Sequence, residues 1–423
     1  NCRFFTLAAQ AERAGFRPCL LCRPELAPGH RSLGAGMARW STQDATGILA
    51  AQAAQLLDAA PLAGPDLPGM PQLAQRLGVS DRHLRRIFEA QLGVSPLQYL
   101  QTRRLLCAKQ LLTDTTLPVP DVARLSGFGS QRRFHAAFSS HYGLNPSGLR
   151  RGNAVVPAKP GLLLRLAYRP PYDATAMLAF FAQRQLDGVE AVTGDAATPT
   201  LARTVTMSQA GLHLNGWVQA QFEPSRARLN LWVSESLQPL LPLLLAKVRA
   251  WLDLDADPQA INAQLHAHFP NGDGLRLPGT LDGFELAVRA VLGQQISVAA
   301  ARTLAQRLVA RWGVELLTPI AGLDRLFPSP EALAQASGDA LGALGLTRQK
   351  QVAIQGLAQL LQNGQLRLEP GADVAATVAT LQTLPGVGDW TAQYIAMRAL
   401  GWPDALPASD VALHRALGLQ GQT

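Results

Sequence analysis

Leu381-Gln-Thr-Leu-Pro-Gly-Val-Gly-Asp-Trp-Thr-Ala-Gln-Tyr394 decides how the second half of the chain reads. A helix ends, Pro385-Gly-Val-Gly388 turns tightly, and a second helix begins at Asp389. Gly386 and Gly388 leave the backbone bare, so a phosphate can reach amide N–H groups at a helix N-terminus and be bound without a cationic side chain. Taken alone, a Gly-x-Gly turn is more often an ordinary helix connection. The residues downstream shift the balance: Leu406-Pro-Ala-Ser-Asp-Val-Ala-Leu413 sets an acid, Asp410, after a proline-containing loop and before an apolar helical stretch.

Working outward, 423 residues exceed one domain, and 48% hydrophobic against 16% charged residues exclude a disordered acidic chain. The formal charge of +8 is unevenly placed: residues 1 to 160 hold 19 Lys/Arg against 9 Asp/Glu, and the remainder 19 against 21. The basic first part points to a polyanionic partner. The most apolar run, Leu237 to Leu252, is broken by two prolines, Lys247 and Arg249, which excludes a transmembrane helix. No signal peptide opens the chain, and four scattered cysteines make no disulfide framework; both fit a reducing, cytoplasmic setting. Asn1 in place of Met and the abrupt end at Thr423 are read as cuts from a longer protein.

Pro/Gly-rich breaks at 27–36, 150–160 and 269–279 delimit four segments: 1–36, 42–152, 161–278 and 279–423. In the second, Leu73 to Phe88 reads as a short helix, a glycine turn, an N-cap at Ser80 and a second helix. Leu84, Ile87 and Phe88 face inward; Arg82, Arg85 and Arg86 face out. The design recurs about fifty residues on, with Phe134 and Phe138 inward and Gln131, Arg132, Arg133 and His135 outward. One such face is commonly just solvated surface; two suggest cations entering DNA grooves. The third segment reads as α+β, with alternation over 162–168, a helical run over 177–185 and strands near 212–219 and 228–233. The fourth reads as helical throughout, with turns at Gly345, Gly371 and Gly386.

The repeated design, ending in Phe138-Ser-Ser-His-Tyr-Gly-Leu-Asn-Pro-Ser147, resembles the AraC-type DNA-binding domain over some hundred residues. The resemblance implies two recognition helices in successive major grooves and a transcriptional regulator that works with RNA polymerase. Asn1-Cys-Arg-Phe-Phe5 and Gly15-Phe-Arg-Pro-Cys-Leu-Leu-Cys-Arg-Pro24 resemble the second half of the Ada-type metal-binding domain. That likeness makes Cys19 and Cys22 two of four zinc ligands, the other pair and the methyl-accepting thiol lying upstream; Cys2 matches a non-ligand position.

The hairpin and Asp410, with Gly283-Phe-Glu-Leu-Ala-Val-Arg-Ala-Val-Leu-Gly-Gln-Gln-Ile-Ser297 and Tyr168-Arg-Pro-Pro-Tyr-Asp173, resemble the helix-hairpin-helix DNA glycosylases of the 3-methyladenine DNA glycosylase II (AlkA) type over 161–423. Asp410 then becomes the catalytic carboxylate, and Trp390, Tyr394 and Phe180 surround the flipped base. Trp390 occupies the position at which strand-cutting relatives carry a Schiff-base lysine, which implies a monofunctional enzyme. Gln295 takes the place of an apolar wedge in the DNA gap. The resemblance also implies that backbone carbonyls of Gln382, Leu384 and Val387 hold a monovalent cation, and Asp389 suits the helix dipole while repelling a nearby phosphate unless turned away. The expected whole is a mainly α multi-domain chain: an AraC-type double helix-turn-helix, a small α+β (TBP-like) domain and an all-α helix-hairpin-helix domain lacking its closing helices. It is expected to act as a monomer on double-stranded promoter and alkylated DNA, away from membranes. The alternative is a transcription factor whose glycosylase-like part only grips DNA.

Overall fold

Two twelve-residue helices, Asp81–Leu92 and Gln131–Tyr142, begin and end alike. Ser80 and Ser130 stand in extended backbone, and each side chain accepts an amide N–H from the first turn of its helix, from His83 and Arg133, both at 3.3 Å. Gly93 and Gly143 close the two helices in left-handed backbone, φ 70° and 69°, which disfavours any residue with a Cβ. Each is preceded by a seven-residue helix, Met70–Arg76 or Val119–Leu125. A nineteen-residue helix, Pro96–Asp114, joins the pair. Leu84, Phe88 and Leu92 are buried with Ala53, Leu57 and Tyr99, while Phe134, Phe138 and Tyr142 pack ring against tilted ring along the second inner face. The pseudo-repeat read from the sequence is therefore a structural one.

The computed structural model describes residues 3, 5, 7–16, 42–59, 70–149, 160–194, 198–209, 211–416 and 418. They fall into two units: residues 1–166 with 207–213 and 235–246, and residues 167–206, 214–234 and 247–423. Cys19 and Cys22 lie outside the described residues. Among the described residues, no helix is long and apolar enough to cross a membrane.

Among the described residues there are five strands: β1 (Leu162–Ala167), β2 (Glu190–Thr193), β3 (Thr200–Gln209), β4 (Leu212–Glu223) and β5 (Arg228–Val233). In the second unit β5, β4, β3 and β2 follow one another across an antiparallel sheet. The register sets Phe222 opposite Leu229 and Glu190 opposite Arg203. The helical run expected over 177–185 is Ala174–Ala182, because the Asp173 side chain accepts the Ala176 N–H at 2.8 Å and fixes the start three residues earlier. The strands β2 and β3 carry no clear sequence signal: Thr200 to Thr206 is buried on both faces over most of its length, so its polar residues mask the alternation that marks a half-exposed strand.

The all-α part is built from capped helices: Gly283–Gly293 begins after Asp282, Val298–Trp312 after Ser297 and Val374–Gln382 after Asp373. The expectation of helix throughout fails between residues 313 and 329, where Glu315 and Arg325 form a short antiparallel bridge. Leu286, Val291, Leu308, Ile354, Leu357, Leu381 and Ile395 form the core beneath the hairpin.

Candidate active site and DNA-contact surfaces

Val374–Gln382 and Asp389–Ile395 are the two arms of the hairpin. Between them Gly386 takes φ +86°, a left-handed conformation that disfavours a side chain. Gly388 has φ −86°, open to any residue, yet a Cβ there would meet no atom within 4 Å. The turn is pinned from below: Gln294 Nε2 donates to the Gly386 carbonyl at 2.9 Å and to Thr391 Oγ1 at 2.8 Å. Lys350 Nζ in turn donates to the carbonyls of Leu292 and Gln294, at 2.8 and 3.1 Å. Burial holds the Lys350 ammonium below its ordinary pKa. Asp389 is exposed and accepts the Gln382 side-chain amide at 3.1 Å, which engages one carboxylate oxygen at the helix start. The Leu384 carbonyl accepts the Val387 N–H at 3.0 Å.

One turn along, Trp390 and Tyr394 stack with centroids 5.2 Å apart and planes at 10°. Trp390 Nε1 donates to Asp410 Oδ2 at 2.8 Å. The other oxygen, Oδ1, accepts the Leu413 N–H at 3.0 Å and so caps Val411–Ala416. The carboxylate thus meets the aromatic pair through one oxygen and the next helix start through the other. Phe180 lies beside this group but is covered by cations: the Arg184 guanidinium sits 3.9 Å from its ring centroid and that of Arg398 4.6 Å. Burial, together with the charges of Arg398 and Arg289 and against the pull of Tyr394, holds Arg184 below its ordinary pKa.

Beneath lies a buried ion quartet. Arg203 donates to Glu190 at 2.8 Å and to Glu285 at 2.6 Å, and Arg289 donates to Glu285 at 2.8 Å and to Glu190 at 3.3 Å. Burial raises the Glu285 carboxyl, but Arg203 and Arg289 outweigh it and leave the group below its ordinary value. Arg289 also donates to the Arg184 backbone carbonyl. None of these arginines stands out in the sequence. The available signal for Arg398 is its spacing, four residues after Tyr394 and eight after Trp390.

Gln295 is exposed at the tip of the loop after Gly283–Gly293, at φ +60°, a conformation uncommon for a residue with a side chain. In the first unit Arg82, Arg85, Arg86, Gln131, Arg132 and Arg133 are all exposed on their helices, with Arg85 paired to Asp81 at 2.8 Å. No group of three or more His, Cys, Asp or Glu residues that suits a metal ion occurs among the described residues.

A double helix-turn-helix, a small antiparallel sheet and a glycine hairpin leading into an aromatic pair and a carboxylate define a DNA-binding regulator joined to a helix-hairpin-helix DNA glycosylase. Family models agree: the metal binding domain of Ada matches residues 1–25, a helix-turn-helix domain 73–152, the AlkA N-terminal domain 163–282 and the HhH-GPD superfamily base excision DNA repair protein 288–422. The chain is 35% identical over its whole length, and over 83% of the relative, to a probable bifunctional transcriptional activator/DNA repair enzyme AlkA of Mycobacterium tuberculosis. It is 38% identical over 56% of its length to 80% of the DNA-3-methyladenine glycosylase 2 of Escherichia coli. Among solved structures, a 3-methyladenine DNA-glycosylase from Archaeoglobus fulgidus matches 60% of this chain and 85% of its own, at 22% identity and a TM-score of 0.49. The chain belongs to the family of bifunctional transcriptional activator/DNA repair enzymes AlkA.

Proposed function

We propose that this chain hydrolyses the N-glycosidic bond of alkylated bases in double-stranded DNA and, through its basic first part, binds promoter DNA as a regulator of the alkylation response. A methylated purine such as 3-methyladenine is already cationic and leaves readily. The enzyme needs only to take the nucleotide out of the stack and stabilise the cationic sugar. The bond between C1′ and the base nitrogen breaks, its electron pair departs with the base, and the Asp410 carboxylate faces the positive charge left on the sugar. Water then adds at C1′ and loses a proton, leaving an abasic site. Trp390 and Tyr394 supply electron-rich faces for the electron-poor base. With Trp390 where a lysine would form a Schiff base, the strand stays intact. Gly386 and Gly388 bind phosphate through backbone N–H groups, with Gln295 filling the gap left by the flipped base.

The single observation behind this reading is the Trp390–Asp410 hydrogen bond of 2.8 Å, which couples the carboxylate to the aromatic pair at the end of the hairpin helix. Phe180 enters as a wall rather than a stacking face, since guanidinium groups lie over its ring. The four modules are assigned to 1–36, 42–152, 161–278 and 279–423. Zinc, with Cys19 and Cys22 as half of its ligands, belongs to the first. The hairpin carbonyls of Gln382, Leu384 and Val387 are the candidate cradle for a monovalent cation. The chain acts as a cytoplasmic monomer, with RNA polymerase as its regulatory partner.

The decisive test counts abasic sites formed in methylated duplex DNA by the protein and by Asp410→Asn. The wild type is expected to form them without strand breaks, and the variant to be slower by roughly a hundredfold or more. Equal rates, or none in either, would favour a transcription factor whose glycosylase-like part only grips DNA.

A further inference from the structure

The helix that carries Trp390 and Tyr394 does not end in an ordinary turn. Residues Ala396–Leu400 form a single π-helical turn, closed by Gly401 at φ +68°. Such turns are rare and gather at functional sites. At its centre Arg398 is buried, yet among the described residues no carboxylate pairs with it. Its partners are neutral: Nε donates to the Pro278 carbonyl at 2.7 Å, Nη2 to the Gly279 carbonyl at 3.2 Å and Nη1 to Tyr394 Oη at 2.5 Å. Its guanidinium carbon lies 4.6 Å from the Phe180 centroid and 5.4 Å from that of Tyr394. Burying an arginine among dipoles and rings costs desolvation that a hydrophobic residue would avoid. The fork does here what no apolar side chain can: it anchors one end on two fixed carbonyls and the other on a phenolic oxygen.

Resting on the glycosylase reading above, we infer that Arg398 is a positioning residue for base excision. It fixes the Tyr394 ring through its hydroxyl, the ring fixes the plane of Trp390 by stacking at 10°, and the Trp390 N–H fixes the Asp410 carboxylate. Three contacts thus run from a buried cation to the reacting carboxylate without Arg398 touching substrate. An orientation error of about 1 Å at such a group can cost up to about a hundredfold in rate.

The test is a set of four variants of the whole chain: Arg398→Met, Arg398→Lys, Tyr394→Phe and Arg398→Met with Tyr394→Phe. Two quantities are measured on methylated duplex DNA: the single-turnover excision rate at saturating enzyme, and the Kd for a duplex holding an abasic site. Arg398→Met is expected to slow excision roughly tenfold or more while the Kd moves less than about twofold, because alignment is lost and not DNA contact. Tyr394→Phe keeps the stacked ring but removes the acceptor, so the double variant should be no slower than the slower single one. If Arg398→Met does not fold, Arg398→Lys, which keeps the charge without the fork, should still excise more slowly than wild type at an unchanged Kd. Rates that multiply in the double variant, a Kd that rises in step with the lost rate, or wild-type excision in Arg398→Lys would each overturn the inference. An inactive wild type would defeat the glycosylase reading and this inference with it, whereas an active chain indifferent to Arg398 would defeat the inference alone.

Discussion

Arginines do opposite work in the two units. In the first, Arg82, Arg85, Arg86, Arg132 and Arg133 stand exposed on two matched helices. In the second, Arg203 and Arg398 are buried, Arg289 is only 20% exposed, and the surface proposed to meet DNA is a glycine turn. The difference separates two ways of holding a polyanion. Exposed arginines neutralise phosphates and release counterions, so that binding depends steeply on salt. A bare helix N-terminus offers fixed partial charges, which bind one phosphate without adding net charge. A charge of −2 over residues 161–423 is therefore compatible with gripping DNA. Buried arginines direct their donors inside, to the geometry beneath the aromatic pair.

The strongest way to break this contrast is to remove a buried arginine. Arg203→Met leaves Glu190 and Glu285, 2% and 3% exposed, with one partner fewer, at an expected cost of about 3–5 kcal/mol. Urea unfolding followed by the fluorescence of the second unit's tryptophans checks this. The salt dependence of promoter binding should not move. With pH, Glu285 contributes through a pKa that is lowered in the fold. Its stabilisation is present above the unfolded value near 4.5 and is lost as pH falls through the lowered one. Asp282, raised by burial and then by the charge of Glu285, acts in the opposite sense, so the measured acid step is the net of the two. Arg203→Met should flatten that step.

The hairpin glycines sharpen the comparison at smaller amplitude. Gly386→Ala forces a Cβ into φ +86°, at an expected cost of about 1–2 kcal/mol of stability. Gly388→Ala meets no such penalty, since φ is −86° and the added methyl touches nothing within 4 Å. Its stability should stay within about 0.5 kcal/mol of wild type, while affinity for damaged DNA falls, because the methyl occupies the approach to the amide N–H groups. Thermal melts and DNA titrations of the two variants side by side check the split. Loss of stability without loss of affinity in Gly388→Ala would argue that the turn is only a helix connection.

What the sequence disclosed rests on local rules. Ser80 and Ser130, Gly93 and Gly143, and the inward Phe134 and Phe138 are legible because caps and 3.6-residue periodicity act over a few residues. Trp390, Tyr394 and Asp410 are nameable only through the likeness to a glycosylase, and their mutual hydrogen bond and stack need coordinates. The strand β3 is hidden because most of it is buried on both faces. The quartet is hidden because Glu190, Arg203 and Glu285 meet from well-separated positions, a register that no local pattern encodes. Phe180 is nameable through the same likeness, but that Arg184 and Arg398 lie over its ring is visible only in the fold.

The smallest expected effect is the one that tests the contrast most directly. If the exposed arginines of the first unit contact phosphates, each contributes one released counterion, and replacing it with alanine should reduce the magnitude of the slope of log K against log salt by about 0.9. Arg86→Ala and Arg133→Ala change little inside the fold, because both side chains are exposed, so stability should stay within about 0.5 kcal/mol of wild type. Arg85 is the internal control: its ion pair with Asp81 already neutralises part of its charge, so Arg85→Ala should lower the slope by less. The same titrations on Gly388→Ala should show weaker binding at every salt concentration with an unchanged slope, because a backbone amide releases no counterion of its own. An altered slope for Gly388→Ala, or an unaltered one for Arg86→Ala together with Arg133→Ala, would mean that the two units grip DNA by the same means.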